Sequence, residues 1–342
     1  MIQTEAFVLK KKGSAAHAFQ LENIQLPNPQ PTQVVIDVEA FGLNYADVMA
    51  RLGLYREAPK MPCVIGYEVV GKISAVGNQL DPSLIGQRVV SFCRFGGYAK
   101  KVIAESFAFS TIGDMETGKA LALATQGVTA YYMAERLANV QSGDRVLIHA
   151  AAGGVGSLLI QLCKLKGAEI IAKVSSRDKE KMVCELGADR VLIYTEQDYA
   201  TALQTQLKGE RLDVSFNPVA GSTFKKDWKL LGSGGKMVLF GGSELVGGKW
   251  GLISTLNFVR KMGFVVPIGL MMRSKNIMGV NMLKIAENRP NVLQACLKAV
   301  IELAETTKLN PVIGGCYDSS DLDRAHDALE KGKSQGKLYV RW

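Results

Sequence analysis

The stretch that most constrains this chain is residues 145–156, R-V-L-I-H-A-A-A-G-G-V-G. The apolar run Val146-Leu147-Ile148 leads into a turn of small residues that ends at Gly156. A helical apolar pattern follows at Leu158, Leu159, Leu162, Cys163 and Leu165. Strand, tight turn and helix start, in that order, let backbone come close to a diphosphate. The free N–H groups and the dipole at the helix start favour its negative charge. Ala151, Gly153 and Gly156, with Gly154 and Val155 filling the gap, spell A-x-G-x-x-G, a dinucleotide fingerprint with alanine in place of its first glycine. Alone such a turn is a weak signal, and its surroundings decide what it means.

From Arg145 onward, strands and helices alternate. E-I-I-A-K-V (169–174) precedes a helix over 177–186, R-V-L-I-Y (190–194) a helix over 198–207, and L-D-V-S-F-N (212–217) a helix over 221–231. K-M-V-L-F-G (236–241) closes the series. Short continuous apolar strands, each followed by a helix, predict a doubly wound parallel sheet covered on both faces, an α/β fold of the Rossmann kind. The first 112 residues read differently. Strand patterns at 5–10, 33–41, 64–77, 87–92 and 97–104 describe a mainly β region. Its one short helix lies in 42–55, with Asn44 as N-cap and Asp47 at the third helical position. Helical sequence occupies 117–138. Beyond the sheet series, 243–275 is irregular. It is followed by a strand near 276–282, a helix over 290–306, a strand at 311–317, a helix over 320–331 and a terminal strand.

The net charge of +9 comes from scattered Lys and Arg residues with no aromatic-interleaved basic block, which argues against nucleic acid as the partner. A basic surface still favours an anionic dinucleotide. Six cysteines lie far apart without a C-x-x-C, the usage of reduced thiols in a cytoplasmic protein. No secretory signal opens the chain and no 18-residue apolar run is present.

The strand after the fingerprint ends near residue 174. An NAD-binding chain places Asp or Glu there for the ribose 2′-hydroxyl. Here the run is Ser175-Ser176-Arg177-Asp178-Lys179. An acid at 175 would repel a 2′-phosphate. Ser175 donates a hydrogen bond, while Lys179 and Arg177 offer opposite charge. The expected cofactor is therefore NADPH. The competing reading leaves the cations as solvated helix-start residues and gives Asp178 the NAD role.

With these motifs placed, the chain resembles the medium-chain dehydrogenase/reductase superfamily over essentially its full length. The resemblance rests on G-L-N-Y-A-D-V-M-A-R-L-G-L-Y (42–55), P-x-x-x-G-x-E-V-V-G from Pro62, G-V-T-A-Y-Y (127–132), A-A-A-G-G-V-G, and the tail R-A-H-D-A-L-E-x-G-x-S-x-G-K-L (324–338). The branch is similar to the zinc-free NADPH:quinone oxidoreductases, zeta-crystallin among them. The long segment 243–282 is most like the synaptic vesicle amine-transport protein homologues. The resemblance implies a GroES-like domain over 1–121 and 284–342 and a Rossmann NADP-binding domain over 122–283.

In the zinc enzymes of the superfamily, the first helix begins with a Cys ligand and a G-H-E motif supplies a His. The corresponding residues here are Asn44 and Tyr67, and neither replaces a thiolate or imidazole on zinc. No metal is expected. The resemblance further implies a reductase that passes hydride to a quinone or an α,β-unsaturated carbonyl, acceptors that need no Lewis acid. Asn44 and Thr129 then lie against the nicotinamide, and Tyr45, Asp47 and Tyr55 line the substrate mouth, with either tyrosine as proton or hydrogen-bond donor. Lys179 and Tyr194 contact the 2′-phosphate and adenosine, and Phe240, Gly241 and Gly242 face the nicotinamide side. Each has a plainer reading: Asn44 as a helix cap, Asp47 as a first-turn acid, Thr129 as a packing residue, the tyrosines as packing, lid or strand-end aromatics. A homodimer pairing near 276–282 is implied as well. A nucleotide-binding regulatory protein is the alternative function. Segment 243–275, with Lys249, Arg260, Lys261, Arg273 and Lys275 among apolar residues, is the candidate for a weak membrane-surface contact.

Overall fold

The computed structural model describes residues 1–247 and 252–342, with side chains left out for 246, 247 and 252–254. Lys249 of the candidate membrane-surface segment therefore lies outside the described residues. The chain forms two units, Met1–Val128 with Met282–Trp342, and Thr129–Asn281.

The first unit is built on a seven-stranded sheet in which Ile313–Asp318, Lys337–Arg341, Gln33–Leu43, Glu68–Val76, Arg88–Phe92 and Phe109–Thr111 run side by side, and Lys101–Glu105 also pairs with Gln33–Leu43. A three-stranded sheet of Phe19–Leu26, Ile2–Leu9 and Cys63–Val64 accompanies it. Val34, Ile36, Phe41, Val69, Ile73 and Tyr98 anchor the core. The tail joins this unit because Leu338–Arg341 registers antiparallel on Ala40–Leu43. The strand Phe19–Leu26 was not expected: in F-Q-L-E-N-I-Q-L the apolar residues Phe19 and Leu21 fall on one alternation and Ile24 and Leu26 on the other, so no single apolar face marks it. It exists because all eight residues of Ile2–Leu9 pair with it.

The second unit is the parallel sheet. Its order is Arg190–Ile193, Glu169–Val174, Arg145–Ile148, Leu212–Asn217, Leu231–Leu239, Asn276–Gly279, with every neighbour parallel. Numbered from Arg145–Ile148, that is the 3-2-1-4-5-6 order of a doubly wound dinucleotide fold. The fifth strand starts at Leu231, five residues earlier than expected, and runs through Gly232, Gly234 and Gly235. Segment 243–275 is more regular than its sequence suggests. It holds the helices Leu252–Met262 and Pro267–Arg273, the second opened by a proline at its first turn. The helical stretch from Thr117 to Leu137 alternates α with two π segments, at Leu123–Gly127 and Tyr132–Leu137. Among the described residues no helix is long and apolar enough to cross a membrane.

Candidate functional site

In the nucleotide unit, the residues singled out from the sequence collect at the carboxyl ends of the parallel strands, where open α/β sheets bind their ligands. The Arg145–Ile148 strand is followed by His149 and by Ala150 in the left-handed region (φ 49°). Gly153 then caps the helix Gly154–Leu165. The turn is tied down by Gly153 N–H on Ala150 O (2.9 Å) and Ala151 N–H on Lys173 O (3.1 Å). Ala151 is fully buried, which is how the turn accepts a methyl at the first fingerprint position. Gly156 admits none, since a Cβ there would lie 2.4 Å from Ala150 O. A Cβ at Gly153 would meet only Ala150 O, at 3.2 Å, with open space otherwise. The first N–H groups of this helix, at Gly154, Val155 and Gly156, have no partner within the helix. The cradle thus fits a diphosphate.

Ser175 follows the Glu169–Val174 strand, and Lys179, itself buried, places Nζ 3.0 Å from Ser175 Oγ. Burial lowers the Lys179 pKa and nearby Asp178 opposes the shift. Arg177 is committed elsewhere, holding Glu196 through Nε at 2.7 Å and Nη2 at 2.8 Å. Of the two cations offered by the sequence, Lys179 is the one brought to Ser175. Tyr194 follows Arg190–Ile193 and is 46% exposed, its N–H bonded to Val174 O (3.1 Å). Phe240 N–H reaches Asn217 O (3.3 Å). Gly241 packs so closely on Pro218 that a Cβ would sit 2.8 Å from its carbonyl, and Gly242 completes that loop. Thr129 is half-buried on the Val128–Tyr131 helix of this unit.

Beneath these strand ends lies a buried polar cluster that sequence reading missed. Asp227, fully buried on the helix Gly221–Leu230, accepts from Ser215 Oγ (2.6 Å), Asn217 Nδ2 (2.7 Å) and Tyr199 Oη (2.7 Å). His149 Nε2 lies 2.9 Å from Asp227 Oδ2, and Lys173 Nζ lies 3.2 Å from His149 Nδ1. A lysine only donates, so Nδ1 accepts and the proton of the neutral ring sits on Nε2, 2.9 Å from Asp227 Oδ2 but not aligned on it as a hydrogen bond. Burial keeps His149 below its ordinary pKa against the pull of Asp227. Burial also brings Lys173 down to about 8. A polar His closing the apolar run V-L-I-H was the available signal.

In the β-rich unit, Asn44 caps the helix Tyr45–Arg51 in a capping box, with its N–H on Asp47 Oδ2 (2.8 Å). The cap reading of Asn44 and the first-turn reading of Asp47 are thus both present in the geometry. Asn44 does more with its amide. Nδ2 donates to Glu68 Oε1 (2.9 Å) and Oε2 (2.7 Å), and Oδ1 accepts from Gln126 Nε2 (3.3 Å). Thr125 Oγ1 donates to Glu68 Oε2 (2.5 Å), and Lys337 forms a fully buried ion pair with Glu68. Glu68, Lys337, Thr125 and Gln126 went unnoticed in the sequence because they are scattered along the chain; only folding assembles them.

Asp47 is fully buried. Burial first, then the Glu68 charge, hold its carboxyl well above the usual range. Burial raises Tyr45 and Tyr55 too, helped by Glu330 and Glu57 respectively. Tyr67, edge-on to Tyr55 with ring centres 6.3 Å apart, is raised further by burial and by Asp47. Asn44, Asp47 and Glu68 are therefore brought together, with Tyr67 beside Tyr55. Among the described residues no three His, Cys, Asp or Glu side chains are grouped to hold a metal ion.

Residues 30–134 match the alcohol dehydrogenase GroES-like domain, and residues 154–308 match the family described as zinc-binding dehydrogenase. A probable quinone oxidoreductase of Schizosaccharomyces pombe is 29% identical over 335 residues, 96% of this chain and 94% of that one. The synaptic vesicle membrane protein VAT-1 homolog of Danio rerio is 27% identical over 310 residues, 90% of this chain, and this chain spans 64% of that protein's length. Among solved structures, human VAT-1 homolog-like protein superposes with a TM-score of 0.85 at 25% identity, covering 100% of this chain and 99% of that one. A mycobacterial protein solved with NADPH superposes at 0.83 with 27% identity, covering 99% and 100%.

Proposed function

We propose that this chain is an NADPH-dependent reductase of quinones or α,β-unsaturated carbonyls that works without zinc, in the quinone oxidoreductase branch of the medium-chain dehydrogenases/reductases, a reading supported by its two matched domains and its similarity to a probable quinone oxidoreductase. The observation that carries the reading is the strand-end constellation: the open helix start at Gly154–Gly156 with Lys179 on Ser175. The similarity to a mycobacterial protein solved with NADPH supports the cofactor.

The N–H groups of Gly154, Val155 and Gly156 receive the diphosphate, with Ala151 and Gly153 shaping the turn. Ser175 and Lys179 receive the 2′-phosphate, Tyr194 the adenosine, and Thr129, Phe240, Gly241 and Gly242 the nicotinamide end. Bound NADPH supplies a hydride from nicotinamide C4. Asn44 is held by Glu68, Gln126 and its own cap, so its amide is pre-set for the nicotinamide. Tyr45 and Tyr55, whose raised pKa values keep them protonated at neutral pH, donate hydrogen bonds to the oxygen that gains charge on the acceptor. Asp47, fully buried, serves by fixing Asn44. A conjugated acceptor spreads its developing charge, so such bonds suffice without a metal.

The test is NADPH oxidation with a panel of quinones and enones, run beside NADH. Binding of NADPH with no acceptor accelerating its oxidation defeats the reductase and leaves a nucleotide-binding regulatory protein, the reading favoured by the VAT-1 similarity.

We also propose a homodimer. The strand Asn276–Gly279 ends the sheet order and pairs, among the described residues, with Leu231–Leu239 alone. Just before it, Phe264, Val266, Ile268, Met271 and Met272 are exposed, Phe264 at 97%. An open edge beside an apolar helix favours a second copy over a membrane surface. A monomer by light scattering, with sedimentation on anionic liposomes, reverses that order.

A further inference from the structure

The buried cluster under the nucleotide turn has one member in contact with a ring that reaches solvent. Lys173 is 6% exposed, one residue before the end of its strand. Its Nζ lies 4.5 Å from the centre of the Tyr194 ring and 4.3 Å from that of Tyr199. Among the described residues its Nζ has one polar contact, His149 Nδ1 at 3.2 Å, and His149 Nε2 lies in turn 2.9 Å from Asp227 Oδ2. Tyr199 is buried and bonded to Asp227 through its hydroxyl, so it is a fixed wall. Tyr194 is 46% exposed, no hydrogen bond of its hydroxyl is among the described contacts, and the Lys173 ammonium lies against its ring. The same lysine accepts the Ala151 N–H on its backbone carbonyl (3.1 Å), and so spans the diphosphate turn and the tyrosine.

A buried ammonium without a carboxylate in ion-pair contact among the described residues, where Asp227 and Asp198 act on it only through their charge, is costly to a fold, and one poised over an aromatic face recovers part of that cost. Its placement here fits a duty toward the ring. We propose that Lys173 is a positioning residue for the cofactor's adenine end: its ammonium, set by the Asp227–His149 pair, holds the Tyr194 ring as a stacking platform. The proposal rests on the reading that this unit binds NADPH. It adds a residue that touches no part of the cofactor, acts through Tyr194, and serves NADPH and NADH alike because both carry the adenine.

The experiment titrates the full chain with NADPH and with NADH, following cofactor fluorescence, for wild type, Lys173→Met, Lys173→Arg, Tyr194→Leu and the Lys173→Met/Tyr194→Leu pair. Lys173→Met is expected to raise both dissociation constants roughly fivefold, the scale of a cation–π contact to a partly exposed ring. Lys173→Arg is expected to recover most of that. The double variant is expected to bind no more weakly than Tyr194→Leu alone, because the lysine acts only through the ring. Tyr194→Leu alters an exposed side chain and keeps the test decisive if Lys173→Met folds poorly: unchanged affinity in Tyr194→Leu overturns the proposal. So do wild-type affinity in Lys173→Met and losses that simply multiply in the double variant. Wild type that binds neither cofactor overturns the cofactor reading itself, a result distinct from these.

Discussion

Glu68 and Lys337, 269 positions apart, form an ion pair in which both side chains are completely buried. The pair is completed by Asn44 and Thr125, which satisfy the carboxylate, and by Leu43 O, which accepts from Lys337 at 3.2 Å. Gly42 makes room for it, since a Cβ there would sit 1.9 Å from Glu68 Oε1. Asn44, whose amide bonds the carboxylate, and Tyr67, next to Glu68 in the chain, adjoin this pair, and the charge that balances Glu68 is an ammonium.

Breaking one side of such a pair costs more than removing both. Lys337→Met leaves a carboxylate buried without its counter-charge and is expected to cost about 3–5 kcal/mol in urea denaturation. Adding Glu68→Leu to Lys337→Met should restore part of that stability. A double variant no more stable than Lys337→Met would mean the pair is not the source of the loss.

Gly156 and Gly153 separate what the turn needs to fold from what the ligand needs. Gly156→Ala drives a methyl into Ala150 O and Ala151 Cα, at 2.4 and 2.7 Å, so both thermal stability and NADPH affinity should fall. Gly153→Ala meets one atom at 3.2 Å. It should keep stability within about 1 kcal/mol, while its methyl enters the space above the helix start and weakens NADPH. Equal effects of the two on melting temperature would contradict this division.

The nucleotide half was legible because one stretch, 145–156, carries strand, turn and helix start together, and the following strands, each with apolar residues, alternate with helices. The capping box was legible for a similar reason: Asn44 and Asp47 stand three residues apart. What escaped had no local signature. Phe19–Leu26 is a strand through its pairing with Ile2–Leu9, not through its own pattern. Lys173 looks like a surface lysine ending a strand until Tyr194, Tyr199 and His149 are folded around it. The Arg177 side chain was offered to a phosphate on charge alone, and only the position of Glu196, 19 residues on, assigns it elsewhere.

Cofactor choice should turn on Ser175 and Lys179. Ser175→Asp sets a carboxylate against the 2′-phosphate, and Lys179→Met removes the cation beside it. Each is expected to raise the NADPH dissociation constant about tenfold or more, on the order of 1.4 kcal/mol, while leaving NADH within a factor of about two. Arg177→Ala, whose guanidinium is held by Glu196, should change NADPH binding little. A larger effect at Arg177 than at Lys179 would reverse the assignment.

His326 should make the fold sensitive to acid. It is fully buried, with Nε2 3.1 Å from the Tyr98 hydroxyl, and burial, with the Arg51 charge nearby, brings its pKa down to about 3. An unfolded histidine titrates near 6.5. Between these values the unfolded chain binds a proton that the folded chain refuses, so stability is complete above about pH 6.5 and falls as the pH drops toward 3. The slope from one such group is at most about 1.4 kcal/mol per pH unit. Asp47, whose raised pKa has the opposite sign in acid, tilts the total the other way, so the effect must be read as a difference. His326→Gln keeps a partner for Tyr98 and carries no titrating proton. Its urea midpoint should therefore decline less than that of wild type between pH 6.5 and 4.5, and parallel declines would show that His326 is not the group responsible.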